Sequence, residues 1–217
     1  MQDYYAARAG EYDQIYQKPE RQADLRQMEA WLPTVLARRS VLEIACGTGY
    51  WTQFYAANAS QVLGIDSARE TLEIARTRLP AERFPQVRLQ TGDAYQPPAQ
   101  DAGGLPFGAA FAGFWWSHIP LQRIPAFLQA LHAVLQPGAH VVFMDNLYVP
   151  GSSTPIAERD AAGNSYQLRP LANGSTHKVL KNFPSREQLL AAVAPWAQHS
   201  QHHVWTHFWA LEYTLHP

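Results

Sequence analysis

Between residues 41 and 50 the chain reads Val41-Leu-Glu-Ile-Ala-Cys-Gly-Thr-Gly-Tyr50, an apolar strand that runs into a glycine turn with one acid, Glu43, inside the apolar run. Few segments constrain a fold more tightly. An α/β sheet binds its ligand at the carboxyl ends of its strands, and Gly47 and Gly49 remove the side chains that would keep a ligand off the backbone there. A dinucleotide-binding turn needs a third glycine three residues after Gly49, so that the next helix packs on the strand and aims its amides at a pyrophosphate. Position 52 is threonine. An acid in the strand repels a pyrophosphate and suits a ligand that carries positive charge.

Two further strand ends repeat the arrangement. Gln61-Val-Leu-Gly-Ile-Asp66 is apolar and closes on an acid, after the helix-like stretch 50–57. Pro85-Gln-Val-Arg-Leu-Gln-Thr-Gly92-Asp93-Ala94 does the same. Taken together, these segments resemble the class I methyltransferases that use S-adenosylmethionine (SAM), whose first motif is acid-x-Gly-x-Gly-x-Gly. Here it reads Glu43-Ile-Ala45-Cys-Gly47-Thr-Gly49, so Ala45 stands where the family has its first glycine. The resemblance implies SAM as cofactor. Glu43, Ala45, Gly47 and Gly49 would then surround its methionine part. Asp66, with Ser67, would accept the ribose hydroxyls, while both residues are also good caps for the helix that follows. Asp93 would take the adenine amino group with Ala94 beside the ring, and Tyr16 and Phe114 complete the expected cofactor contacts.

Composition narrows the function. The chain has 217 residues, 47% of them hydrophobic, which suits one domain with a substantial core. A net charge of −1 gives no electrostatic footprint for nucleic acid. No apolar run reaches the ~18 residues of a membrane helix, and the start of the chain lacks a basic-then-apolar leader, so no membrane partner and a cytoplasmic location are expected. The single cysteine, Cys46, excludes an internal disulfide and reads as a small residue packed under the loop. Oligomeric state has no signal in the sequence.

Along the chain, residues 1–38 read as a helical lid with helices at 4–16 and 19–32, the second opened by Pro19. Residues 39–145 read as the SAM-binding core, with strands at 40–45, 61–66, 86–91, 109–115 and 139–145 alternating with helices near 50–58, 68–79 and 120–135. Gly138 is expected to turn the chain after the last of these helices. Residues 146–184 form an insertion rich in Pro, Gly, Ser and Thr, with a hairpin signalled by Asn173-Gly174, and are expected to cover the substrate. A helix at 185–194 and two strands within 199–215 complete the chain. The resemblance implies a three-layer α/β sandwich with a mostly parallel, Rossmann-like seven-stranded sheet in the order 3-2-1-4-5-7-6.

The resembled enzymes place the methyl acceptor after the fourth strand, here Phe114-Trp-Trp-Ser-His118. The motifs that hold a flipped base, and the Pro-Cys nucleophile of cytosine methylation, are both missing. A small-molecule acceptor follows. His118 is the candidate base or acceptor-orienting group, with Tyr16 as a second catalytic candidate and Trp116 as an aromatic wall. Tyr5, Tyr12, Tyr16 and Trp116 would form a cage for a cationic nitrogen. Arg169 and Lys178 on the hairpin are suited to an acceptor carboxylate, and Asn146 is a further contact. Nitrogen on an amino-acid-like or heterocyclic metabolite is the expected acceptor, with oxygen second. Asp145-Asn146 resembles the metal-binding pair of catechol-type O-methyltransferases, but Ser117 and His118 stand where those enzymes place an acid, so no metal is expected. His199, His203 and His207 fall on one face of an alternating strand with His202 opposite, and read as edge histidines without a carboxylate partner. A SAM-binding protein without turnover is the remaining alternative.

Overall fold

The computed structural model describes residues 9–171 and 174–217, with side chains from residue 13 onward. Tyr5, the side chain of Tyr12 and Asn173 of the expected hairpin turn lie outside the described residues.

A 3₁₀ segment at Ala9–Tyr16 and a 3₁₀ turn at Pro19–Arg21 lead into helix α1, Gln22–Val35. Leu25, Met28 and Leu32 recur at helical spacing on its buried face. Strand β1 is Ser40–Ile44, followed by the short helix α2, Thr52–Tyr55, which continues as a 3₁₀ turn. Then come β2 (Gln61–Asp66), α3 (Arg69–Arg78), β3 (Val87–Thr91), β4 (Phe107–Gly113), α4 (Ile124–His132) and β5 (Leu135–Asn146). The insertion holds β6 (Glu158–Arg159), β7 (Ser165–Pro170) and β8 (Thr176–Leu180). Helix α5, Arg186–Val193, opens with a capping box between Ser185 and Gln188. Strands β9 (Ala197–Val204) and β10 (Phe208–Leu215) close the chain.

Seven strands form one sheet in the order β3-β2-β1-β4-β5-β10-β9, and the insertion strands form a separate antiparallel sheet in the order β6-β7-β8. Strands β1 to β5 are parallel, while β10 inserts antiparallel between β5 and β9. Counted within the sheet, this is the order 3-2-1-4-5-7-6 expected from the sequence. Alternation along each strand sends side chains to two cores. Leu42, Ile44, Phe143 and Trp209 pack beneath α4 and α5, whereas Val41, Phe111, Val142 and Phe208 pack with α1 and the α2 region. The result is three layers. Among the described residues no helix is long and apolar enough to cross a membrane.

Two boundaries differ from the sequence reading with consequences for the site. Strand β4 stops at Gly113, two residues early, and Phe114 takes φ 61°, so the chain turns before the tryptophans. Gly138 lies inside β5 at φ 75°, not in a turn after α4. Partner pairs step from Phe107↔Leu135 to Ala109↔His140, so residues 136–139 bulge out of the ladder. Among the histidines, His203 bonds Glu212 at 2.7 Å and His207 bonds Asp24 at 3.0 Å. Each therefore has a carboxylate partner, supplied by a neighbouring strand or helix that the local alternation does not reveal. The positive φ of His199, 53°, also breaks the alternation that would put it beside them.

Candidate active site

The glycine loop after β1 is held by the end of β2. Asp66 accepts the Gly47 amide on one oxygen and the Ala68 amide on the other, both at 2.9 Å. The carboxylate thus ties the loop and starts the turn into α3 together. Burial pushes its pKa up, with the two backbone amides opposing that shift. Ala45 has φ 53°, a left-handed conformation that costs an alanine more than a glycine, so the backbone here has the shape the missing glycine would adopt freely. A Cβ on Gly49 would lie 2.8 Å from Leu79 and 3.3 Å from Ala75, which makes this glycine a packing requirement against α3.

A cavity of about 580 Å³ opens over this loop. Ala45, Gly47, Asp66, Ser67, Asp93, Ala94 and Phe114 line it, each placed by a strand's carboxyl end. Tyr95, Trp115 and Arg123 also line it, although the sequence reading had not singled them out. The Arg123 guanidinium lies 3.6 Å from the Tyr95 ring centroid, and Tyr95 meets Trp115 edge-on at 6.0 Å. These groups wall the end near Asp93, whose carboxylate caps the Tyr95 amide at 2.9 Å. Trp115 was a readable candidate once the strand end is moved from 115 to 113.

Glu43 and Gly49 do not line this cavity. The Glu43 side chain points to the α2 side of the sheet and accepts the hydroxyls of Thr52 and Tyr55, each at 2.7 Å. Burial raises its pKa to about 7, with both hydroxyls pulling the other way and the Asp66 charge adding a smaller upward push. It acts as an internal strut beneath the loop. Strand alternation explains this: Val41 and Glu43 share one face, Leu42 and Ile44 the other. Tyr16 is also one layer back. Its ring stacks on Tyr50 at 3.8 Å and meets Phe114 at 5.8 Å, and its hydroxyl accepts the Trp51 indole N–H at 3.2 Å.

Trp116 is buried in the core, 4.9 Å from the Phe143 ring and 6.3 Å from Trp209. The 3₁₀ turn Trp116–His118 that follows the early end of β4 rotates it inward, so it is not a wall of an acceptor site. His118, in the same turn, lines the cofactor cavity and a second, smaller one. Its Nδ1 lies 2.7 Å from the Leu180 carbonyl. A carbonyl only accepts, so Nδ1 carries the proton and the tautomer is set.

The second cavity, about 220 Å³, shares Phe114 and His118 with the first as lining residues. Asn146 and Arg169 line it, as do Lys18, Arg21 and Lys181, which the sequence reading missed. Lys18 Nζ donates to the Ser152 carbonyl at 2.9 Å, and Arg21 to the Ser152 carbonyl and hydroxyl at 3.2 and 3.1 Å. Arg169 donates to the Gln167 side chain at 2.7 Å. Lys181 is buried and donates to Asp145 at 2.8 Å and Ser117 at 2.6 Å. Asp145 in turn accepts the amides of Ser117 and Asn146 at 2.9 and 2.7 Å. Its oxygens are committed to an ammonium and two amides. Lys178 lies elsewhere, paired with Glu158 on the exposed hairpin.

Residues 41–138 match the methyltransferase domain family. Among curated relatives, the malonyl-[acyl-carrier protein] O-methyltransferase of Erwinia billingiae is 31% identical over 108 residues, covering 48% of this chain and 38% of that protein. The trans-aconitate 2-methyltransferase of Rhodopseudomonas palustris is 33% identical over 134 residues, covering 60% of this chain and 48% of the relative. The aligned stretch therefore spans less than half the length of either protein. Among solved structures, the DhpI–SAH complex superposes with a TM-score of 0.78 at 24% identity, over 99% of this chain and 95% of that one.

Proposed function

From the class I SAM-dependent methyltransferase domain that this chain carries, we propose that it transfers the methyl group of SAM to an oxygen of a small anionic acceptor. The observation that carries this reading is the cation-lined cavity that shares Phe114 and His118 with the cofactor cavity. SAM lies in the larger cavity with its ribose hydroxyls on Asp66, its adenine between Asp93, Ala94 and the Tyr95–Trp115 wall, and its methyl end toward Phe114. The acceptor occupies the smaller cavity, whose 220 Å³ is below the ~300 Å³ at which drug-sized sites begin.

Methyl transfer is an in-line displacement: the acceptor oxygen forms a bond to the methyl carbon, the carbon–sulfur bond breaks, and its electron pair stays on sulfur as a neutral thioether. An oxyanion and a sulfonium are both neutralised in that step, so a site that excludes water favours it. An acid is already deprotonated at neutral pH and needs no general base. His118, with its tautomer set by Leu180, therefore orients the acceptor, and Tyr16 acts through the Phe114 ring it packs against. The nitrogen acceptor expected from the sequence fits less well. Of the cage expected from Tyr5, Tyr12, Tyr16 and Trp116, Tyr5 and the Tyr12 side chain lie outside the described residues, and Tyr16 and Trp116 do not line the smaller cavity, while cations do. The names of the two curated relatives, a malonyl-carrier O-methyltransferase and a trans-aconitate methyltransferase, support an acid.

Incubation with methyl-labelled SAM and a panel of small carboxylic and phosphorus oxyacids tests this. With a carboxylic acid, label should enter a product from which mild alkali releases methanol, as from an ester; with a phosphorus oxyacid, whose methyl monoester resists alkali, it should appear as a P–O–CH₃ group by phosphorus NMR. Transfer to an amine in place of these acids would mean a nitrogen acceptor, and S-adenosylhomocysteine (SAH) binding with no transfer to any acceptor would favour the non-catalytic alternative.

A further inference from the structure

The four cations of the smaller cavity are not equivalent. Lys181 is matched by Asp145, at the ends of β4 and β5 where the cavity meets the cofactor. Lys18, Arg21 and Arg169 donate to the Ser152 carbonyl and hydroxyl and the Gln167 amide oxygen, while Glu20, which accepts the Ser152 hydroxyl, and Asp24 act on Arg21 from outside the cavity lining. They come from the amino-terminal strap and from the insertion sheet, and so face the cavity from the side away from the sheet. Among the described residues no carboxylate lines the cavity.

One reacting oxyanion does not account for this layout. An oxygen held tightly by three clustered cations is a poor nucleophile, because the transfer removes the negative charge those cations stabilise. Productive binding energy has to fall on a part of the acceptor whose charge does not change in the reaction. Resting on the function proposed above, we infer that the acceptor carries a second anionic group, carboxylate or phosphoryl, that does not react and is held by Arg21 and Arg169 with Lys18. The reacting oxygen then lies at the Phe114–His118–Asn146 end, beside the already matched Lys181. Substrates of this kind are short-chain acids with two anionic ends, and the product is the monoester. The guanidinium fork suits either kind of oxyanion.

Two of these cations also act on Lys181. Burial lowers its pKa to about 8; Arg169 and Arg21 push the same way, against the attraction of Asp145. An anion set between these groups relieves the repulsion and raises the Lys181 pKa. Near pH 8 its binding therefore takes up protons, and affinity falls as pH rises through that range.

The experiment is calorimetric titration of the SAH-loaded protein with acetate and butyrate against malonate, succinate, glutarate and phosphonoacetate. The diacids should bind at least tenfold more tightly than monoacids of matched length, with proton uptake near pH 8 visible as a buffer-dependent enthalpy. The carboxylate and phosphoryl arms separate the two kinds of second group. Arg169→Gln should remove the preference with SAH affinity unchanged, and Arg169→Lys should restore part of it, which separates recognition from a folding defect. Equal binding of mono- and diacids would overturn the inference, as would preference for a malonyl thioester of N-acetylcysteamine, which points to a carrier-bound half-acid. If monoacids are still converted to alkali-labile esters in those cases, the proposed function stands without it. If no acid yields an ester, that function itself falls.

Discussion

The two cavities share a wall but are built in opposite ways. The larger is lined mostly by residues within a few positions of a strand's carboxyl end, among them a short acid, Asp66, held by backbone amides. The smaller is assembled from the 15–21 strap, the 146–183 insertion and the turn after β4, and four of its lining groups are long basic side chains, Lys18, Arg21, Arg169 and Lys181. In the first, the fold itself makes the site. In the second, tertiary contacts bring charges together from distant parts of the chain, and one of them, Lys181, is held by a buried pair with Asp145.

That contrast is broken most forcefully at Asp145. Replacing Asp145 by Asn leaves Lys181 buried without its charge partner, and loss of one member of a buried pair costs about 3–5 kcal/mol. Chemical denaturation should show a loss of that order, and the double variant Asp145→Asn with Lys181→Met should recover much of it. Stability that is unchanged in the single variant would mean the pair contributes nothing to the fold and the acceptor region is no more integral than a surface loop.

The matching lesion in the cofactor cavity is read first in binding. In the proposed pose Asp66→Ala removes an acceptor from two ribose hydroxyls, and hydrogen bonds to a charged group contribute about 1.5–3 kcal/mol. SAH affinity measured by calorimetry should fall by that amount, and the thermal transition should fall as well, because the carboxylate also accepts the amides of Gly47 and of the buried Ala68. A folded variant with wild-type SAH affinity would remove Asp66 from the site.

This difference in construction also decides what could be read from the sequence. Glu43, Asp66 and Asp93 were legible as strand-end acids because strand, turn and helix are neighbours in the chain, and the strand order followed from the family those segments resemble. The face Glu43 uses was present in the alternation Val41, Leu42, Glu43, Ile44 and was overlooked in favour of its motif position. Trp115 and Trp116 exchanged roles because β4 ends two residues early, a boundary error that turns one side chain from core to cavity. Lys18, Arg21 and Lys181 gave no local signal at all. Each is an ordinary basic residue in its own segment, and only tertiary contacts with Ser152 and Asp145 reveal where it stands.

The smallest expected effect concerns the link between the two regions. Thr48, in the glycine loop, donates to Asp13 at 2.7 Å, and Arg78 of α3 pairs with Asp13 while donating to the Thr48 carbonyl at 2.8 Å. The same strap then passes Tyr16 beneath Phe114 and ends with Lys18 and Arg21 clasping Ser152. Asp13 therefore fixes one end of a segment whose other end presents cations to the acceptor. Both partners of the Asp13–Arg78 pair are partly exposed, so its loss should cost only about 1 kcal/mol, within the range of hydrogen-bonded surface pairs. In Asp13→Asn, that loss should appear as a roughly fivefold rise in acceptor KM, since 1.4 kcal/mol corresponds to tenfold, with SAH affinity unchanged. The glycine loop keeps its tie to Asp66, whereas the strap loses its anchor. If SAH affinity falls in step with acceptor KM, the strap belongs to the cofactor cavity as much as to its neighbour, and the division between a fold-made and a charge-made site would have to be redrawn at Thr48.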